Sequence, residues 1–218
     1  MAHWLFRYVL FGPLIGIFLR IKVVGRENIP RRGGFIVAAN HQAEVDSFVL
    51  AWVLRRFALR FYAKAYYWRI PGGRGKIVRW FFDNTGQIPM DRSGGKESKD
   101  GLSRGAQLLT RGGVLGVYPE GTRSVDGKLH KGKTGIARTV REARVPVLPI
   151  GLIGTDKVNP VGSKFPRPGR VTVAIGKPME FPNHRLSFQD RSMTNRVMNA
   201  IKELSGQEYI DTYSPIRK

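Results

Sequence analysis

The chain has 218 residues, 42% of them hydrophobic, and sets 37 Lys and Arg against 16 Asp and Glu for a formal net charge of +21. That length and apolar content suffice for one globular domain with its own core, while the charge calls for an anionic partner, with nucleic acid, an anionic membrane and a phosphorylated substrate all in contention. Cysteine is absent, which excludes disulfides, thiolate metal sites and a cysteine nucleophile, and is compatible with a reducing compartment.

The N-terminus reads MAHWLFRYVLFGPLIGIFLRIK, apolar without interruption only from Tyr8 to Leu19. As a helix that run covers ~18 Å, short of the ~30 Å hydrocarbon core, so it is not expected to span a membrane. No small-residue cleavage site follows it, which argues against a signal peptide. Two readings remain, a buried core helix or a segment lying in the membrane interface. Trp4, Phe6, Phe11 and Phe18, framed by Arg7, Arg20 and Lys22, favour the interface, and Pro13 introduces a kink. Residues 1–22 are therefore expected to form a membrane-interface segment ahead of a domain over 23–218.

Beyond it, short strand-like runs alternate with longer helix-like ones. This is an α/β pattern, expected as a single domain whose mixed, mostly parallel sheet is flanked by helices. Phe35 to Ala39 reads as a buried strand, Ser47 to Phe57 as a helix and Phe61 to Ala65 as a strand. Lys76 to Phe82 is helical, Gly86 to Met90 a strand, and Arg92 to Lys99 a polar loop rich in Ser and Gly. A helix over Leu102 to Thr110, a strand over Val114 to Tyr118, a helix over Gly135 to Ala143 and a strand over Val147 to Ile153 follow. Val171 to Ile175 alternates as a half-exposed strand does, and a helix from Ser192 to Leu204 stops at Gly206.

Four segments at the ends of these elements carry chemistry. In NHQAEVD, Asn40 to Asp46, a histidine and an aspartate lie five positions apart, about 140° around a helix axis, so they meet only through a turn. Such a turn follows the strand ending near Asn40, and in it the carboxylate would fix the tautomer of His41 and leave the other ring nitrogen free to take a proton. The same residues also fit an N-cap at Asp46 beside a solvated histidine. In YPEGTRS, Tyr118 to Ser124, a Glu, a Gly and an Arg emerge from a strand end, where open α/β sheets carry sites. GQIPMDR, Gly86 to Arg92, repeats that plan, so that Arg92 and Arg123 could clamp a phosphate. VPVLPIG, Val145 to Gly151, is stiffened by two prolines and suits the wall of an apolar groove.

In this order and spacing the four segments resemble the motifs of the glycerolipid acyltransferase family, which includes the bacterial and eukaryotic 1-acylglycerol-3-phosphate acyltransferases. The similarity runs from about Val23 to Leu204, with EGTRS matched residue for residue and a GKP segment, Gly176 to Pro178, after the late strand. The resemblance implies direct transfer. His41, oriented by Asp46, would remove a proton from a glycerol hydroxyl, which attacks the thioester of acyl-CoA or acyl carrier protein; one general base suffices for so activated a donor. It implies further that Arg92, Glu120, Thr122 and Arg123 hold the acceptor, and that Gly121 admits close backbone approach. A carboxylate repels phosphate, so Glu120 is expected to contact a hydroxyl or an arginine. Lys131 is a candidate phosphate contact, with a solvated surface lysine as the alternative. No cofactor and no metal are implied. The expected acceptor is a lysophospholipid, 1-acylglycerol 3-phosphate, which would become phosphatidic acid at the cytoplasmic face of a membrane; glycerol 3-phosphate, other lysophospholipids and glycolipids are the alternatives within the family.

Three competing readings are weaker. GKLHKGKT, Gly127 to Thr134, satisfies the P-loop pattern but lacks the strand that must precede its first glycine. GLSRG, Gly101 to Gly105, fits a nucleophile elbow but follows a polar stretch and shows helical spacing. A nucleic-acid module would explain the charge, yet the basic residues are spread along the chain without a recognised motif, and no nucleic acid is expected as a partner.

Overall fold

A computed structural model describes residues 16, 18–91, 95–163, 165–182 and 186–215. Most of the expected N-terminal segment, and Arg92, lie outside them. In chain order the elements are β1 (Lys22–Val24), β2 (Phe35–Ala39), α1 (Asp46–Val53), β3 (Leu59–Lys64), α2 (Gly72–Asn84), β4 (Ile88–Met90), α3 (Gly95–Thr110) and β5 (Val114–Val117). There follow β6 (Leu129–His130), α4 (Gly135–Ala143), β7 (Val147–Ile153), α5 (Thr155–Val158), β8 (Thr172–Ile175), α6 (Asp190–Ser205) and β9 (Tyr209–Ile210).

Seven strands form one sheet in the order β1-β8-β7-β2-β5-β3-β4. All neighbours are parallel except β7 and β8, so the sheet is mixed and mostly parallel, as expected from the alternation of elements. β2 sits at its centre because both of its faces are apolar. Phe35, Val37 and Ala39 enter one core with α1, whereas Ile36 and Ala38 enter the other with α3, α4 and α6, which is the period-two division a strand imposes. Gly151 of β7 lets α6 lie directly on the sheet: a side chain there would meet the Leu204 carbonyl carbon at 2.5 Å. α6 ends where the pattern indicates, with Gly206 in the left-handed conformation.

One expectation is corrected, and one pair of strands is new. Residues 95–99, read as loop, are the first turns of α3; the buried contacts of Ala106 and Leu109 anchor a helix that then propagates into polar sequence. The second sheet, β6 pairing β9, was not expected, because a two-residue strand carries no period.

The central strand is tied to its neighbour just before the site. Asn40 is fully buried; its side chain donates to the Leu152 carbonyl at 2.9 Å and accepts from the Leu152 N–H at 2.7 Å. It also donates to Gln207 Oε1 at 2.7 Å. Asn40→Leu would orphan both backbone groups of Leu152, each at about 1–3 kcal/mol. Chemical denaturation should therefore show a loss of at least ~2 kcal/mol, and a change within ~0.5 kcal/mol, as for an ordinary surface substitution, would contradict the role given to Asn40.

Candidate active site

The chain leaving β2 turns at once around a carboxylate. Asp46 Oδ2 accepts from the Gln42 N–H at 2.7 Å and the Ala43 N–H at 2.8 Å, and stands 2.8 Å from His41 Nδ1. Asp46 is fully buried and is the first residue of α1, not its cap; Val45 holds that position without a side-chain bond. An ionised carboxylate only accepts, so the contact places the proton on Nδ1 and leaves Nε2 bare in the neutral ring. The His41 side chain keeps 17% of its surface open, against none for Asp46.

Two further supports hold the imidazole. Its ring lies on Tyr118 with centroids 3.9 Å apart and planes 10° from parallel, and Tyr118 in turn stacks on Phe61 at 5.7 Å. The Tyr118 hydroxyl is 2.9 Å from Ser47 Oγ. Burial, followed by the negative charge of Asp46, raises that phenol well above its ordinary range, so it stays neutral. Neither Tyr118 nor Ser47 was singled out from the sequence. An aromatic residue at a strand end was the available signal, but stacking needs the register of β5 beside β2.

The YPEGTRS loop clamps the histidine from its backbone side. The Gly121 N–H donates to the Tyr118 carbonyl at 2.9 Å, and Gly121 has φ +75°, a conformation that favours glycine. The Ser124 N–H donates to the His41 carbonyl at 2.7 Å. Glu120 is 1% exposed: its Oε1 accepts from the His41 N–H at 3.2 Å and its Oε2 from the His130 N–H at 3.0 Å. One carboxylate therefore bridges the loop after β2 to β6. Burial pushes the Glu120 carboxyl from 4.5 up to about 7, against the lowering effect of those two N–H donors.

The remaining residues are arranged around this clamp. Thr122 is half-buried, and Arg123 Nη1 pairs with Glu44 Oε1 at 2.9 Å on the surface. Lys131 Nζ pairs with Asp211 at 3.0 Å, so it faces the C-terminal segment. Lys133 is the lysine that packs against the motif: a methyl built on Gly121 would lie 3.1 Å from its Cδ and 3.2 Å from its Nζ. A second histidine, His130, also meets an aspartate, Asp126, at 3.1 Å, but its Nδ1 faces the Thr212 carbonyl at 3.3 Å. With both nitrogens engaged and 5% of the residue exposed, His130 links β6 to the C-terminal segment and offers no free base. Among the described residues no group of three His, Asp or Glu could hold a metal ion.

Neither competing motif has its required setting. Ser103 lies inside α3, and Gly105 is needed because a side chain there would strike the Tyr62 hydroxyl at 2.0 Å. The P-loop match contains β6 instead of following a strand.

Residues 20–153, more than half of the chain, match the family described as Acyltransferase. The chain belongs to the acyltransferase family. It is 34% identical to a chloroplast 1-acyl-sn-glycerol-3-phosphate acyltransferase of Arabidopsis thaliana over 74% of this chain and 44% of that protein. With the enzyme of that name from Saccharomyces cerevisiae the identity is 31%, over 94% of this chain and 67% of that one. Its fold matches the crystal structure of the 1-acyl-sn-glycerophosphate acyltransferase PlsC from Thermotoga maritima, with a TM-score of 0.70 and 29% identity over 89% of this chain and 76% of that chain. The chain spans about half the length of the chloroplast and algal relatives it matches.

Two outcomes test the geometry of this candidate site. Because the folded chain holds the Glu120 proton more tightly than the unfolded chain, its stability falls as pH rises from 4.5 to about 7. The shift amounts to roughly 3 kcal/mol, several degrees in a domain of this length. Relative to Glu120→Gln, the thermal midpoint of the unsubstituted chain should drop across that window, and parallel curves would contradict the buried carboxylate. In Tyr118→Leu, loss of the stacking platform should lower kcat up to about tenfold with little change in acceptor KM. Tyr118→Phe keeps the ring and should retain most of the rate; equal damage in both variants would refute the platform.

Proposed function

We propose that the chain is a membrane-associated acyltransferase that moves an acyl group from a thioester, acyl-CoA or acyl carrier protein, to the free hydroxyl of 1-acylglycerol 3-phosphate, giving phosphatidic acid. The observation that carries this reading is the His41–Asp46 contact of 2.8 Å, with Nε2 left bare at the rim of a buried clamp. Nε2 takes the proton of the acceptor hydroxyl while that oxygen attacks the thioester carbonyl. The tetrahedral intermediate then collapses, the carbon–sulfur bond breaks, and the imidazolium returns its proton to the departing thiolate.

On this reading Arg123 receives the acceptor's phosphate. Its present partner, Glu44, has a side chain 67% exposed, and a surface pair of that kind is worth only ~0–1 kcal/mol, so phosphate can displace it. Arg92 is proposed as the second arm of the clamp. Thr122 and Gly121 line the approach, and Lys131 would contribute only by leaving Asp211, with which it pairs at 3.0 Å. Glu120 serves the acceptor through the backbone it fixes. The names of the relatives, each a 1-acyl-sn-glycerol-3-phosphate acyltransferase, support this acceptor over glycerol 3-phosphate or a glycolipid.

Attachment to the cytoplasmic face of a membrane, through the segment over residues 1–22 and the net charge of +21, fits two amphiphilic substrates. Each methylene drawn into water costs ~0.8 kcal/mol, which favours reaction at the surface. Among the described residues no helix is long and apolar enough to cross a membrane.

Incubation with a panel of lysolipid, glycerol 3-phosphate and glycolipid acceptors, with products identified by mass spectrometry, tests the assignment. Phosphatidic acid should dominate, and its absence while another product forms would move the acceptor elsewhere. His41→Ala should lower turnover ~10²- to 10⁴-fold with the fold intact; near-normal turnover would remove His41 as the base. Arg123→Ala should raise the KM of a phosphate-bearing acceptor about tenfold or more and leave that of the donor in place. Equal movement of both would place the phosphate site elsewhere.

A further inference from the structure

α2 is the crossover between the parallel neighbours β3 and β4, and such a helix ordinarily buries an apolar stripe on the sheet. This one does not. Over 13 residues it buries only Gly75, and none of its side chains belongs to either hydrophobic core. It is nevertheless rich in apolar groups. Ile77 is 69% exposed and Trp80 49% exposed, three positions apart and so on one face, while Gly75 lies about 200° around the axis from Ile77. Tyr66, in the short 3-10 turn ahead of α2, is 64% exposed.

The turn is tied to the helix. Tyr67 stacks on Phe82 at 4.8 Å, and the Trp68 ring nitrogen donates to Asp83 Oδ1 at 2.7 Å. That bond occupies the only acidic residue between Lys64 and Asn84, against five basic ones, Lys64, Arg69, Arg74, Lys76 and Arg79, all exposed. The outer face thus presents an aliphatic and an aromatic side chain flanked by cations, the pattern of a helix lying in a lipid interface. The position suits the chemistry as well. β2, β5, β3 and β4 run parallel, so the turn carrying Tyr66 leaves the same edge of the sheet as the loops carrying His41 and Glu120.

We infer that α2 and the turn before it form a second membrane-docking surface, in which Tyr66, Ile77 and Trp80 enter the headgroup region of an anionic bilayer and the basic residues engage its phosphates. Because it rests on the membrane-bound acyltransferase proposed above, the experiment must separate the surface from the membrane itself. The absence of cysteine permits a single label. Full-length Ile77→Cys carrying an environment-sensitive fluorophore is mixed with phosphatidylcholine vesicles containing phosphatidylglycerol, beside Glu203→Cys, an exposed position of α6, and sedimentation is read in parallel. The label at 77 should shift to the blue and become accessible to lipid-borne quenchers, while that at 203 stays unchanged. Separately, Ile77→Glu should weaken vesicle binding about tenfold or more without altering turnover on detergent-dispersed acceptor.

Protein that sediments with vesicles but shows no change at 77 overturns this surface and leaves membrane attachment standing. Failure of the unsubstituted protein to sediment at all removes both. A spectral shift that grows with protein concentration in the absence of vesicles assigns the face to a second copy of the chain and refutes a lipid partner. Loss of turnover in detergent for Ile77→Glu would place α2 in the active site instead.

Discussion

Everything at the site depends on where one buried carboxylate oxygen receives its hydrogen bonds. Asp46 Oδ2 gathers two backbone N–H groups and the His41 imidazole within 2.8 Å, and this convergence folds residues 41–46 into a closed turn. An ionised carboxylate out of water is unfavourable unless several donors meet it, so the turn and the charge require each other. Loss of the charge would loosen the turn, and loss of the turn would strip the buried carboxylate of the backbone donors that offset its desolvation. The histidine tautomer and the local fold thus share one interaction.

The second carboxylate works differently. Glu120 has two backbone donors and no charged partner among its bonds, and burial outweighs them enough to bring its carboxyl up to about 7. It acts as a spacer between the loop after β2 and β6, holding the His41 backbone from one side while Ser124 holds it from the other. Tyr118 adds a flat surface beneath the ring, so the imidazole is restrained in hydrogen-bond direction, backbone position and plane. On the function proposed above, a base restrained in this way needs little reorganisation when the substrates arrive.

How much of this could be read from the residues depended on range. β2, α4 and β7 have the bounds expected from periodicity because each is a run of apolar or amphipathic sequence closed by glycine, proline or a polar residue. The His41–Asp46 contact was accessible because both partners lie in one turn, although the pair taken alone favoured a helix cap, and only the other three segments shifted the reading. The role of Glu120 was not legible. Its chemistry suggested a hydroxyl or an arginine as partner, and only the return of the chain through β6 brings the His130 N–H to it. The Tyr118 platform, the β6–β9 pair and the exposed helix α2 likewise follow from which elements become neighbours, which no local pattern records.

The central claim is that Asp46 holds His41 as a neutral base with its proton on Nδ1 and Nε2 bare. Nitrogen NMR of the isotope-labelled imidazole, assigned by comparison with His41→Ala and recorded where the ring is neutral, measures this directly. The account predicts a protonated Nδ1 and an unprotonated Nε2, with the preference weakened or lost in Asp46→Asn. A ring protonated on Nε2, or a tautomer ratio unaffected by Asp46→Asn, would contradict it.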